Sequence, residues 1–244
     1  DGMRITDNAG LEHVKDAARV LSEYADAIAI RSLARHDDWA MERRDLVLVS
    51  FQKHSSVPIF NMESVLEHPC QAWGDALTLE EEFGDLRGRK LALTWVYSPT
   101  ARPLAVPHGA ALMAAKLGMN LTICHPEGYD LDHGVLDVVQ RNAREHGGTV
   151  RFTPDLADAA TGAHAIYAAS WGATNLHGRP DEERLLRSRH TDRRITADLM
   201  AKTQSGRFLH AMPVRRNVEV DDAVVDAPSS LVIRQAGNRL HIQR

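Results

Sequence analysis

Side chains able to hold an anion and polarise a carbonyl recur at particular places along this 244-residue sequence. Arg31 follows an apolar run over residues 25–30, and Glu63 comes shortly after Ile59 and Phe60. His68-Pro69-Cys70-Gln71 opens an amphipathic stretch. His210-Ala211-Met212-Pro213-Val214-Arg215-Arg216-Asn217 closes another apolar run, and Asn238-Arg239 follows Leu231-Val232-Ile233. Arginine recognises phosphate or carboxylate in a planar, bidentate way. A histidine at a helix entrance feels the positive end of the helix dipole, which disfavours its protonation. Its neutral N–H can still donate to a carbonyl oxygen that gains charge as an amine attacks. Gln71, one turn further in, brings both a donor and an acceptor for an amide-like group. Each residue alone also has a plain structural role. Arg31 could pair with a surface carboxylate, His68 could close a helix without a ligand, and Arg215-Arg216 could form a solvated turn. Placed together on one sheet edge, they suit an anionic ligand with a reactive carbonyl.

The elements that must position them follow from hydrophobic periodicity. Short apolar runs alternate with longer amphipathic stretches, the pattern of βαβ units around a parallel sheet. In such sheets ligands bind at the carboxyl ends of the strands, where these residues fall. The spacing predicts helices over residues 11–24, 45–54 and 69–83. The last has Pro69 in its first turn and Gly84 just past its end. Further helices are expected from about residues 109, 132, 156 and 196. Strands are expected at residues 25–30, 57–60, 90–97, 121–125, 149–153, 165–170 and 208–212, and residues 231–233 also look strand-like. Residues 98–108 carry Pro99, Pro103 and Pro107, too many to continue a strand or begin a helix early. Residues 179–194 are dense in charge and read as a solvated surface segment or as a mobile lid beside a site. The helix over 69–83 would run from one sheet to the other. This places one domain at residues 1–80, a second at 81–232 and a segment returning to the first at 233–244.

Composition and motifs exclude several classes. Hydrophobic residues are 43% and charged residues 25% of the chain, so it is globular rather than disordered. With 29 Lys and Arg against 33 Asp and Glu, the net charge is −4, unlike a general nucleic-acid binder. No apolar run is long enough for a membrane span, and no charged-then-apolar leader opens the chain. Cys70 and Cys124 are the only cysteines, so neither a disulfide framework nor a Cys-rich zinc site is expected. There is no G-x-G-x-x-G after a strand, no Walker A sequence, no G-x-S-x-G elbow and no H-E-x-x-H. A soluble, cytoplasmic protein is expected. The chain opens on Asp1 and stops at Arg244, and both ends read as cut.

An ordered set of motifs resembles the aspartate/ornithine carbamoyltransferase family, and most closely its N-acetylornithine and N-succinylornithine branch. The set comprises Asn61-Met62-Glu63, His68-Pro69-Cys70-Gln71, Leu93-Thr94-Trp95, His125-Pro126-Glu127-Gly128-Tyr129, Ser170-Trp171-Gly172, His210 to Asn217, and Ala236-Gly237-Asn238-Arg239. The resemblance implies two Rossmann-like parallel-sheet α/β domains, the first incomplete, with the Pro-rich loop threaded into a trefoil knot. It implies transfer of a carbamoyl group from carbamoyl phosphate to an N-acylated ornithine in arginine biosynthesis, without metal or organic cofactor, by a homotrimer. Arg31, His68 and Gln71 would be catalytic and, with Arg239 and the backbone carbonyl around Met212, would contact carbamoyl phosphate. Glu63, Arg215 and Trp171 would bind the amino-acid substrate.

The sequence also departs from the family pattern. The Ser/Thr-Arg-Thr-Arg phosphate loop, at a helix N-terminus, would lie ahead of Asp1. The H-C-L-P motif reads His210-Ala211-Met212-Pro213, the Lys usually found before Ser-Trp is Ala169, and Glu219 stands where the acetylornithine form has Lys. The last family helix is expected beyond Arg244. These departures leave a second expectation, a silent or divergent homologue that binds a small anion or a partner subunit.

Overall fold

The computed structural model describes residues 12–244; the expected helix start at Leu11, and everything before it, lie outside the described residues. Two parallel sheets organise the chain. The smaller pairs β1 (Ile28–Arg31) with β2 (Ile59–Glu63). Against it pack α1 (Val14–Tyr24) and α3 (Leu46–His54), around Val14, Ala18, Ile30, Leu48 and Phe51; a short α2 (Trp39–Glu42) precedes α3. Helix α4 (Pro69–Phe83) spans the residues expected, from the His68 cap to Gly84, whose φ of 69° only glycine adopts freely.

The larger sheet has the order β5-β4-β3-β6-β7, all parallel. Its strands are β3 (Lys90–Trp95), β4 (Asn120–Cys124), β5 (Thr149–Thr153), β6 (Ala165–Ala169) and β7 (Arg207–Leu209). The helices that follow α4 are α5 (Ala105–Lys116), α6 (His133–His146), α7 (Leu156–Ala160), α8 (Pro180–Ser188), α9 (Ala197–Met200), α10 (Asp222–Val225) and α11 (Val232–Gln243). Leu91, Leu93, Trp95 and Tyr167 point into the core shared with α5 and α6. Ala92, Val96, Ile166 and Phe208 point into the opposite core with α7, α9 and α10. Burial on both faces explains why β3 and β6 read as nearly continuous apolar runs. The chain winds outward through β4 and β5, then returns beside β3 with β6. That reversal opens a crevice at the carboxyl ends of β3 and β6.

Several expectations need correction. Helix α5 starts at Ala105, not near residue 109, and Pro107 is its third residue. The first four helical N–H groups have no intrahelical partner, so a proline there forfeits nothing. Residues 231–233 do not form a strand; Val232 opens α11. The helical period was hidden because the buried face of α11 carries polar Gln235 and Asn238, whereas Ile233 is 74% exposed. Helix α11 packs on α4. Gly74 permits that approach, because a Cβ there would lie 3.2 Å from Arg239 Cγ. The charged stretch 179–194 is largely exposed, as a solvated segment would be, with one exception. Its Arg187, on α8, is buried and ion-paired to Glu183.

Polar capping ties the two halves together. Asp132 caps α6 through the backbone N–H groups of Gly134 and Val135. It also accepts from Trp39 Nε1 (3.0 Å) and from Arg43 Nε and Nη2 (2.8 and 2.9 Å). Burial alone would raise its pKa, but these donors outweigh burial and hold the carboxyl down to about 2. The buried His108 lies alongside. Its Nδ1 sits 2.9 Å from Leu66 O, while its Nε2 accepts the Asp132 N–H at 3.1 Å, which fixes the neutral Nδ1–H form.

Burial lowers the His108 pKa to about 4, against the opposing pull of Leu66 O and Asp132. Below the ordinary histidine pKa of about 6.5, the unfolded chain therefore takes up a proton that the folded chain refuses. The stabilisation is complete above that pH and is lost progressively down to about 4, at roughly 1 kcal/mol per pH unit. His108→Gln can keep both hydrogen bonds without titrating. The stability advantage of wild type over this variant, measured by urea unfolding, should shrink by roughly 2 kcal/mol between pH 7 and pH 5. A constant difference would show that the imidazole is not held neutral.

Candidate active site

A cavity of about 210 Å³ opens where the two sheets face each other. From the smaller sheet come Arg31, the last residue of β1, and Glu63, the last of β2. The start of α4 contributes His68 and Gln71, and α11 contributes Arg239. From the larger sheet come Ala168 to Ser170 at the end of β6 and His210 to Pro213 after β7. Arg102, Pro103, Val106 and Pro107 form the remaining wall.

His68 caps α4, with Nδ1 accepting the Gln71 N–H at 3.3 Å. In the neutral ring the proton must then sit on Nε2, which lies 3.7 Å from Glu63 Oε2. Burial, followed by the nearby charges of Arg239 and Arg31, lowers the His68 pKa to about 4. The imidazole is therefore a neutral donor at physiological pH. Arg31 donates from Nε to Glu63 Oε2 at 2.9 Å, and its Nη2 lies equally close, yet its side chain is 64% exposed. Its remaining guanidinium donors are available to an anion. Arg239 has a buried Nε without a hydrogen-bond partner among the described residues, a donor left for a ligand or water.

Glu219 organises the opposite wall. It is fully buried, with Oε2 3.0 Å from His210 Nε2 and accepting the Arg215 N–H at 2.8 Å; Oε1 accepts from Arg102 Nη2 at 3.2 Å. Burial pulls its pKa up, but His210, the Arg215 N–H and Arg102 together hold it below the usual carboxylate range. Arg102 also donates to Pro213 O at 3.0 Å, fixing the loop that carries Met212. Beneath Gln71, its Nε2 donates to Asp75 Oδ1 at 2.7 Å, and Gln235 Nε2 reaches the same oxygen at 2.7 Å. Burial pushes Asp75 up to about 7, and these donors limit the rise.

Thus Arg31, Glu63, His68, Gln71, Met212 and Arg239 all line one cavity. Two expected residues do not. Trp171 is fully buried behind the cavity wall, its Nε1 donating to Tyr129 O at 2.8 Å. Arg215 points outward, with Nη2 3.3 Å from Thr100 Oγ1. Arg102 was missed, because a lone arginine among prolines carries no periodic signal. The Gln71–Asp75 pair was legible in principle, since residues four apart share a helix face. Among the described residues no group of three or more His, Cys, Asp or Glu is placed to hold a metal ion, and no helix is long and apolar enough to cross a membrane.

The chain belongs to the aspartate/ornithine carbamoyltransferase family: residues 2–81 match its carbamoyl-P binding domain and residues 104–244 its Asp/Orn binding domain. It is 41% identical over 236 residues to N-acetylornithine carbamoyltransferase of Xanthomonas campestris pv. campestris, covering 96% of this chain and 69% of that protein. It is 33% identical over 235 residues to N-succinylornithine carbamoyltransferase of Bacteroides thetaiotaomicron, with the same coverage of 96% and 69%. A crystal structure of an N-acetyl-L-ornithine transcarbamylase mutant, complexed with carbamyl phosphate and N-succinyl-L-norvaline, superposes with a TM-score of 0.95 at 39% identity. That match covers 99% of this chain and 75% of the other.

Proposed function

We propose that this protein transfers the carbamoyl group of carbamoyl phosphate to the side-chain amine of an N-acylated ornithine, N-acetyl- or N-succinylornithine, in arginine biosynthesis. The observation that carries this reading is the convergence of Arg31, His68, Gln71, Met212 and Arg239 on one cavity. Arg31 and Arg239 hold the phosphate. Gln71 and the Met212 backbone carbonyl accept hydrogen bonds from the carbamoyl NH2. The neutral amine attacks the carbonyl carbon, whose oxygen gains charge beside His68 Nε2–H; the C–O bond to phosphate then breaks, and the proton given up by the amine nitrogen leaves on the phosphate. Glu63 stands near this acceptor end, and Arg215, at the outer rim, meets the acyl-amino acid from outside.

The same reading takes the protein as a cytoplasmic homotrimer and the Pro-rich loop as knotted. In keeping with such a loop, the Pro-rich segment runs beside the residues after β6: Arg102 N donates to Ser170 O at 3.2 Å and Gly172 N to Arg102 O at 3.0 Å. A strictly monomeric, well-folded protein in sedimentation would count against the trimer.

A second reading, a silent or divergent homologue, is favoured by Ala169 and Ala211, which stand where the resemblance expects Lys and Cys; both line the cavity. The deciding experiment measures carbamoyl-product and phosphate formation with N-acetylornithine, N-succinylornithine and free ornithine, for wild type and Ala169→Lys. Turnover of an acylated acceptor in preference to free ornithine supports the transferase reading. The added ammonium should lower KM for the acylated acceptors about tenfold by pairing with their carboxylate. The gain should shrink at high ionic strength. No turnover by either protein, with Ala169→Lys only less stable, favours the silent homologue.

A further inference from the structure

Asp75 is a fully buried carboxylate in the middle of α4, and the chemistry proposed above does not use it. An apolar residue there would pack α4 against α11 without the desolvation cost of a carboxylate. Its geometry indicates what that cost supports. One oxygen, Oδ1, receives two amide N–H groups at 2.7 Å each, from Gln71 on its own helix and Gln235 on α11. The other end of the Gln235 amide is also committed, since its Oε1 accepts the His210 N–H at 3.0 Å. A continuous relay therefore runs from Gln71 through Asp75 and Gln235 to the end of β7, two residues before Met212.

A glutamine amide is ambiguous, because a half-turn exchanges its donor and acceptor ends. The Asp75 oxygen that receives two N–H groups is not, since Oδ1 accepts whether or not the other oxygen carries a proton. With Nε2 committed to Asp75, Gln71 presents Oε1 to the cavity; a flipped amide would set two oxygens against each other. We infer that Asp75 is a positioning residue that fixes both hydrogen-bond acceptors for the carbamoyl NH2, Gln71 Oε1 directly and the Met212 carbonyl through Gln235 and His210, so that the cavity selects a carbamoylated phosphate over bare phosphate. The inference rests on the reading of the cavity as a carbamoyl phosphate site. It assigns the discrimination to a side chain that touches no ligand.

The test is equilibrium binding of carbamoyl phosphate and of inorganic phosphate, measured by calorimetry in the cold on the full chain. Wild type should hold carbamoyl phosphate more tightly. Asp75→Leu frees the Gln71 amide to turn, so the preference should fall roughly tenfold while affinity for inorganic phosphate changes little. Asp75→Asn should retain the preference. Because Gln235 Oε1 is held by His210, Gln235 Nε2 still demands an acceptor and pins the Asn oxygen where Oδ1 was. Should Asp75→Leu not fold, Asp75→Ser, which keeps the position polar but withdraws the shared oxygen, replaces it with the same expectation. An undiminished preference in Asp75→Leu or Asp75→Ser overturns the inference, as does a parallel loss of affinity for both ligands. If wild type itself does not prefer carbamoyl phosphate, the reading of the cavity falls and takes the inference with it.

Discussion

His68→Ala should lower kcat for carbamoyl transfer about 10²-fold, with a much smaller change in KM. That is the scale of losing one preorganised donor to a developing oxyanion. The expectation follows from how the ring is held. Nδ1 is occupied as acceptor for the Gln71 N–H, so the neutral imidazole keeps its proton on Nε2. Burial and the charges of Arg239 and Arg31 keep the ring neutral down to about pH 4. The donor is therefore present through the physiological range, and protonation of His68 should not shape the rate until the medium becomes strongly acidic. Removal of the ring also removes a helix cap, which costs about 1 kcal/mol of stability by itself. His68→Asn separates the two effects, since asparagine caps well but cannot place a donor where Nε2 stood. A recovered melting temperature with kcat still depressed assigns the loss to chemistry. Unchanged turnover in His68→Ala would remove the residue from the mechanism.

The site was legible in the sequence to the extent that its residues lie at ends of regular elements. Arg31 and Glu63 close strands, His68 and Gln71 open a helix, and Met212 follows β7, so a rule about sheet edges was enough to gather them. Arg239 was gathered for a mistaken reason. It follows no strand but projects from α11, whose polar buried face disguised it as the aftermath of a β run. Trp171 marks the converse failure. The Ser-Trp-Gly text sits beside the cavity, yet only Ser170 lines it, because the indole turns inward to donate to Tyr129 O. Sequence places a residue on an edge; packing decides which way a large apolar ring turns. Arg187 was obscured by nine other charged residues over positions 179–194, and no local pattern marks which one of a charge run is drawn into the core.

Arg187→Leu should destabilise the fold by about 3–5 kcal/mol, the usual cost of removing one partner from a buried ion pair. In a chain of this size that lowers the melting temperature by roughly 10 °C. The guanidinium is 1% exposed and every edge of it is engaged. Nε and Nη2 reach Glu183 Oε1 at 2.9 and 2.6 Å, Nη1 donates to Ser170 Oγ at 2.7 Å, and Nη2 donates to Trp171 O at 2.7 Å. Its plane lies over Trp95 and Tyr129, with ring centroids 5.1 and 5.3 Å away. Leucine would fill part of the space but leave the Glu183 carboxylate without its cation and the Trp171 carbonyl with only its second donor, Trp95 Nε1 at 2.9 Å. Arg187→Lys should recover little, because an ammonium cannot span the fork of acceptors or stack its plane on the rings. Adding Glu183→Gln to Arg187→Leu should recover part of the loss, since the stranded charge is what costs most. Ser170 lines the cavity, so Arg187→Leu should also raise KM for the acceptor more than it lowers kcat. Denaturant unfolding of the three variants checks the ordering. A loss below 1 kcal/mol in Arg187→Leu would mean that desolvating the guanidinium already cancels its bonds, leaving this arginine without a net part in holding α8 against the wall of the site.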